Sequence, residues 1–79
     1  MDFIFSKHAE EQQNTMKVKY DKSVDILYLL LSDEKVYESD EEKKGVILDY
    51  AKSGKVVGIE LLNASQQMSN PVKVEYEYA

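Results

Sequence analysis

The stretch from Gly45 to Leu62 constrains the fold of this chain more than any other. Gly45 opens a β-favouring run, Val46-Ile47-Leu48-Asp49-Tyr50, then Ala51-Lys52-Ser53-Gly54 turns the chain, and Lys55 to Leu62 returns. Gly54 has no Cβ and is free to take the positive φ that such a turn requires. An antiparallel hairpin over 46–50 and 55–62 is therefore predicted. Gly58, inside the second strand, predicts a bulge or a close backbone approach.

A period of two governs the chain from Met16 onward. Val18 and Tyr20 share one face while Lys17 and Lys19 take the other, the pattern of a half-buried strand at 17–20. Asp21 to Asp25 reads as a polar turn, where an aspartate carboxylate can accept bonds from backbone amides two residues on. Ile26 to Leu31 is apolar at every position, which predicts a strand at 25–31 covered on both faces. Its short length between turn formers favours strand over buried helix.

Asp33 to Lys44 holds six carboxylates, with Val36 and Tyr37 as its only large apolar residues. That composition predicts a short edge strand at 35–38 and then an exposed loop, since charge discourages edge-to-edge pairing. Beyond Leu62 the period lapses, and 63–69 reads as one helical turn, capped by Asn63 or Ser65 and ended by Asn70-Pro71. Val72, Val74, Tyr76 and Tyr78 then alternate with Lys73, Glu75 and Glu77, predicting an amphipathic strand that rejoins the sheet or pairs with another chain.

The expected fold is mainly β (or small α+β), an antiparallel β meander of about five to six strands with a short helical turn near residues 63–69. Its expected core is Val18, Tyr20, Ile26, Tyr28, Leu30, Val46, Leu48, Val57, Ile59 and Leu61.

With 79 residues the chain is one domain at most, and a chain this short buries only ~60% of its unfolded surface. A thin core is helped by self-association, so a homodimer is expected. The absence of cysteine removes disulfides and thiolate metal sites and suits a reducing cytoplasm. Ile26 to Leu31 is the longest apolar run, far short of a membrane span. Met1 to Phe5 carries an acidic residue where a secretion signal would be basic. A cytoplasmic protein without membrane contact is expected. Fifteen carboxylates outweigh ten lysines, the net charge is −5, and arginine is absent. Nucleic acid is disfavoured as a partner, since its binding relies on cations. A basic protein partner is favoured by mutual steering, although moderate negative charge also serves solubility alone.

Tyr20-Asp21, Asp25, Leu27-Tyr28, Gly45-Val46, Asp49-Tyr50, Gly54, Val57-Gly58-Ile59-Glu60 and Ala64-Ser65 follow one another in an order that resembles the family called domain of unknown function 2283. The resemblance runs from about Met16 to Ser65. That family of short prokaryotic proteins has no established activity, so the resemblance implies a fold more than a task. Residues 3–12, Phe3-Ile4-Phe5-Ser6-Lys7-His8-Ala9-Glu10-Glu11-Gln12, look like the start of a second family, domain of unknown function 4258. Its members are small, basic and toxin-like and are often encoded beside the first family; the basic body that would follow is absent here. Residues 1–15 therefore read as an N-terminal extension, whether a strand with Phe3 to Phe5 on a sheet edge, a fusion remnant or a misassigned start, dispensable for folding of a single small β domain at 16–79. An antitoxin-like pairing with a small basic toxin-like protein is what the two resemblances together imply.

Candidate site residues are few. His8 is the only histidine, and neither an oriented partner nor a pocket can be read around it, so it is expected to be an exposed bystander. Asp21, Asp25, Asp33 and Asp49 lack the mid-loop glycine and final glutamate of a calcium loop; Asp21 and Asp25 are expected to organise a turn and Asp49 to face solvent. Glu60 lies between apolar neighbours, poised to bind an amide or Lys17 or Lys19 on an adjacent strand, or to face a partner. Six tyrosines without a basic groove suit packing and interfaces better than base stacking. The acidic run Glu38 to Glu42 is either a solvated loop or a docking surface. No catalytic, metal or cofactor-binding residue is expected, and Glu38, Asp40, Glu41, Glu42, Glu60, Tyr76 and Tyr78 are the candidate partner-binding set. The leading expectation is a non-catalytic protein-interaction module. A small enzyme or ligand-binding domain using Asp21, Asp25 or Glu60 is one alternative, and a structural or degenerate protein without activity is the other.

Overall fold

The computed structural model describes residues 16–79. The extension at 1–15, with His8, the Phe3 to Gln12 resemblance and the fusion reading, lies outside the described residues. Tight connections turn the alternating sequence into register. Strand β1 is Lys17–Asp21 and β2 is Ile26–Leu30. Strand β3 is Glu38–Lys43, β4 is Val46–Tyr50, β5 is Val56–Leu62, and one short helix, α1, is Ala64–Gln67. The strands form one sheet in the order β1-β2-β5-β4-β3, antiparallel at every pairing. Mainly antiparallel β with a short helical turn is the architecture the sequence predicts.

Each connection has an identifiable cause. Between β1 and β2, Asp21 Oδ1 accepts bonds from the Ser23 amide at 3.1 Å and the Ser23 hydroxyl at 2.7 Å, the aspartate turn expected there. Between β4 and β5, Ala51 N–H donates to the Lys55 carbonyl at 2.8 Å and Gly54 N–H to the Ala51 carbonyl at 2.9 Å. Gly54 sits there at φ 93°, where a Cβ would be strained. The longer link from β2 to β3 passes the ends of β5 and β4. Leu31 N–H donates to the Val57 carbonyl at 2.7 Å, and Tyr37 N–H donates to the Tyr50 carbonyl at 2.6 Å. That path delivers β3 to the far edge of the sheet.

Three expectations need correction. The third strand lies at Glu38–Lys43, not at 35–38, and the supposed acidic loop is the strand itself. All six of its residues are exposed and it has one strand neighbour among the described residues, β4, so its carboxylates stay in water while the backbone pairs. Charge excludes a strand from the centre of a sheet, not from its edge. Second, no strand forms at 72–78; Val72, Val74, Tyr76 and Tyr78 are all well exposed. Alternation defines the two faces of a strand but not a neighbour to pair with. Third, the expected core merges two faces of the sheet. Val18 pairs with Leu29 and Tyr20 with Leu27, while Tyr28 lies opposite Lys19.

One face therefore carries Val18, Tyr20, Leu27, Leu29, Leu48, Ile59 and Leu61. The other carries Ile26, Tyr28, Leu30, Ile47, Asp49, Gly58 and Glu60. Leu27 and Tyr28 are adjacent and point oppositely, yet each is only 7% exposed. Strand β2 is thus covered on both faces, as its uninterrupted apolar run predicts. Val57 is the most deeply buried large side chain, and Ala51 and Ala64 are also enclosed.

Candidate functional site

Three groups of polar side chains stand out, one inside the sheet, one joining the helix to the first hairpin and one on the rim. The internal group begins with Gly58. On β5 it lies opposite Leu30 of β2 and Asp49 of β4, and the Tyr28 side chain lies over it. A Cβ at residue 58 would stand 2.5 Å from Tyr28 Oη and 3.0 Å from the Leu29 carbonyl oxygen, closer than real Cβ atoms approach. The backbone approach predicted from the sequence is that of the Leu29 carbonyl, and the tyrosine ring, which the sequence did not point to, comes closer still. A shift of register next to Tyr50 adds local irregularity. Through the gap Tyr28 Oη donates to Asp49 Oδ2 at 3.1 Å, and Ser39 Oγ donates to Asp49 Oδ1 at 2.5 Å.

Asp49 is 3% exposed, which overturns the solvent-facing position expected of it. Its neighbour two positions back on the same face, Ile47, is the sequence signal that this face is covered. Burial pushes the Tyr28 hydroxyl well above its ordinary range, with the charge of Asp49 adding to the effect. Glu60, directly opposite Tyr28, is raised to about 7, by burial first and then by its hydrogen bond to Asp49 and the charge there. The Glu60 carboxyl thus takes up a proton more readily than an exposed glutamate does. Among the described residues no buried side-chain polar atom lacks a partner.

A second tie joins the helix to the first hairpin. Asp25, at φ 56°, accepts from Tyr20 Oη at 2.6 Å, from the Ser65 amide at 3.0 Å and from Ser65 Oγ at 2.7 Å. The helix is capped by this carboxylate from 40 residues upstream, not by Asn63, whose side chain makes no cap bond. Sequence reasoning named Asp25 as a turn former and missed its reach to Ser65. The hydrogen bond to the Tyr20 hydroxyl holds the Asp25 carboxyl below its usual range, and those to Ser65 add to it.

The rim group is the acidic edge. Glu38 pairs with Tyr50 and Asp40 with Leu48, and the Tyr50 hydroxyl donates to Glu42 Oε2 at 3.0 Å. That bond raises the Tyr50 hydroxyl above its ordinary value, with desolvation next and then the charges of Glu42, Asp40 and Glu38. Three carboxylates thus surround one ring. A shallow groove of about 350 Å³ opens beside them, lined by Tyr37, Glu38, Asp40, Tyr50, Ala51, Lys52 and Gly54. Tyr37 is 63% exposed and also lines an adjoining hollow with Lys35, Val36 and Lys52.

Of the candidate partner-binding residues, the structure brings together Glu38, Asp40 and Glu42. Glu41 points to the other face, and its Oε2 accepts from the Gly45 amide at 2.9 Å. Glu60 lies two strands away, across Ile47 from Glu41. Tyr76 and Tyr78 stand outside the sheet. Asp21, Asp25 and Glu60 are held in separate sets of hydrogen bonds and do not converge. Tyr37 and Tyr50 were read from the sequence only as packing or interface residues in general. Among the described residues no group of three or more potential ligands is placed to hold a metal ion, and no helix is long and apolar enough to cross a membrane.

Apart from Ser39, the two ties are made of residues that carry the family resemblance: Tyr20, Asp25, Ala64 and Ser65 in one, Tyr28, Asp49, Gly58 and Glu60 in the other. Residues 17–65 match the protein family of unknown function DUF2283, and the chain belongs to that family. No curated protein and no solved structure shows significant similarity to it.

Proposed function

We propose that this protein is a non-catalytic interaction module whose edge strand β3 receives an extended, basic segment of a partner protein. The observation that carries this reading is the grouping of Glu38, Asp40 and Glu42 around Tyr50 on a strand with one hydrogen-bonded neighbour among the described residues. An extended peptide can add to such an edge through its main chain, while its lysine or arginine side chains meet carboxylates and the faces of Tyr37 and Tyr50. An acidic edge also guards against aggregation; the groove between two tyrosines is what favours recognition over guarding. Phosphate-bearing ligands would be repelled. In its specific form the partner is a small basic toxin-like protein and this chain its antitoxin-like counterpart, acting in the cytoplasm.

The test is titration of a fluorescent lysine-rich extended peptide and of an acidic control. Saturable binding of the basic peptide is expected, weakening with salt. Glu38→Lys, Asp40→Lys and Glu42→Lys together should lower affinity at least about tenfold, the loss of roughly 1.4 kcal/mol. Equal affinity in that variant, or no preference over the acidic control, would remove the reading.

A further inference from the structure

The segment at 72–78 has the alternation of a strand and no strand to join. Val72, Val74, Tyr76 and Tyr78 are 70%, 62%, 79% and 89% exposed. The sheet's other edge, β1, has one hydrogen-bonded neighbour among the described residues, β2. We propose that residues 72–78 of one copy of this chain add as an antiparallel strand to the outer edge of β1 in a second copy, reciprocally, giving a closed two-fold dimer.

Register is the ground for this pairing. Placing Tyr76 opposite Val18 sets Val74 opposite Tyr20 and Tyr78 opposite Met16, all on one face. The same register sets Glu77 opposite Lys17, Glu75 opposite Lys19 and Lys73 opposite Asp21 on the other. All three charged pairs are of opposite sign, and directly opposed pairs are the ones that interact most strongly across strands. Sliding by two residues brings Lys73 against Lys19, or Glu75 against Asp21. A parallel arrangement brings Lys73 against Lys17 and Glu77 against Asp21. Strand β3 offers no substitute, because its carboxylates at 38, 40, 41 and 42 would face Glu75 and Glu77 or the apolar row. Lys17 and Lys19 already make contacts within their own chain; an ammonium has three donors, so a flanking glutamate adds to those contacts. In its own chain the segment stays off the sheet, its start held in a turn by the Val72 amide to Asn70 Oδ1 and the Lys73 amide to the Asn70 carbonyl, both at 3.2 Å. The dimer uses the edge opposite β3 and does not depend on the basic-partner reading.

Charge exchange tests it, using the full chain. The native protein should sediment as a dimer at tens of micromolar. Glu75→Lys with Glu77→Lys in one variant, and Lys17→Glu with Lys19→Glu in another, should each weaken self-association at least about a hundredfold by opposing like charges on both sides of the dimer. Mixing the two variants restores every opposed pair and should restore the dimer. The tail variant alters only exposed residues, so its folding is secure, and circular dichroism confirms that of the other. A monomeric native chain, a tail variant that stays dimeric, or a mixture of two folded variants that stays monomeric would each overturn the proposal; the last is also what pairing of the tail within its own chain would give.

Discussion

Replacing Gly58 with alanine should be among the most damaging single-methyl additions in this protein. The new Cβ would lie 2.5 Å from Tyr28 Oη, 2.8 Å from Cζ and 3.0 Å from the Leu29 carbonyl oxygen. The last is backbone of the β2–β5 pairing and cannot yield without breaking the ladder, so the tyrosine ring must move. Moving it breaks the 3.1 Å bond to Asp49 inside the sheet. Overpacking costs about 1–3 kcal/mol, and loss of a hydrogen bond to a charged group costs about 1.5–3 kcal/mol. With partial relaxation the expected loss is roughly 3–4 kcal/mol, against a total of ~5–15 kcal/mol for a typical domain. In a domain this small that lowers Tm by roughly 12–30 °C. Urea denaturation of the native chain, Gly58→Ala, Tyr28→Phe and the double variant gives the test as a cycle. Tyr28→Phe alone should cost about 1.5–3 kcal/mol. The double variant should cost less than the two singles added, by about 1–2 kcal/mol, because both remove the same bond. A loss below about 0.5 kcal/mol for Gly58→Ala, or strict additivity, would refute the account of why glycine stands there.

Further expectations concern pH and the second tie. Glu60 binds its proton more tightly folded than unfolded, so the stability linked to it is full below about pH 4.5 and is lost as pH rises through about 7. After discounting for its partial exposure the loss is about 1 kcal/mol, and Glu60→Gln should abolish that slope in chemical denaturation between pH 5 and 8. Asp25 has the opposite sign: its lowered pKa adds stability above the ordinary carboxylate range that disappears as pH falls through the folded value. Asp25→Ala should lower Tm and speed hydrogen exchange at the Ser65 amide, while the amides of β4 keep their protection; unchanged exchange at Ser65 would show that Asp25 does not hold the helix. A chain comprising residues 16–79 should retain the five-strand sheet and lose at most ~1–2 kcal/mol, and its amide spectrum compared with that of the full chain decides the matter.

Elements whose signals are local could be read along the chain. The 46–62 hairpin follows from two alternating runs about a glycine turn, the Asp21 turn from a carboxylate beside its own backbone, and the two-sided burial of β2 from an unbroken apolar run. These depend on a few bonded neighbours and on periodicity. Which strands become neighbours is a different kind of fact. That β2 packs beside β5, sending β3 to the rim, decided that the acidic stretch at 38–43 pairs as an edge strand instead of lying free as a loop. The same choice put Asp49 within reach of Tyr28 and Ser39 and near Glu60, turning an apparent surface aspartate into a buried acceptor. Asp25 could be read as a turn residue, but its bonds to Tyr20 and Ser65 exist only because the end of β5 delivers the helix to the first hairpin. Alternation at 72–78 is equally clear in the sequence, yet it forms no strand here: a period of two marks faces, whereas strand formation also needs an open edge of matching charge within reach. Side-chain pattern is written along the chain; adjacency between distant segments is set by the whole sheet closing at once.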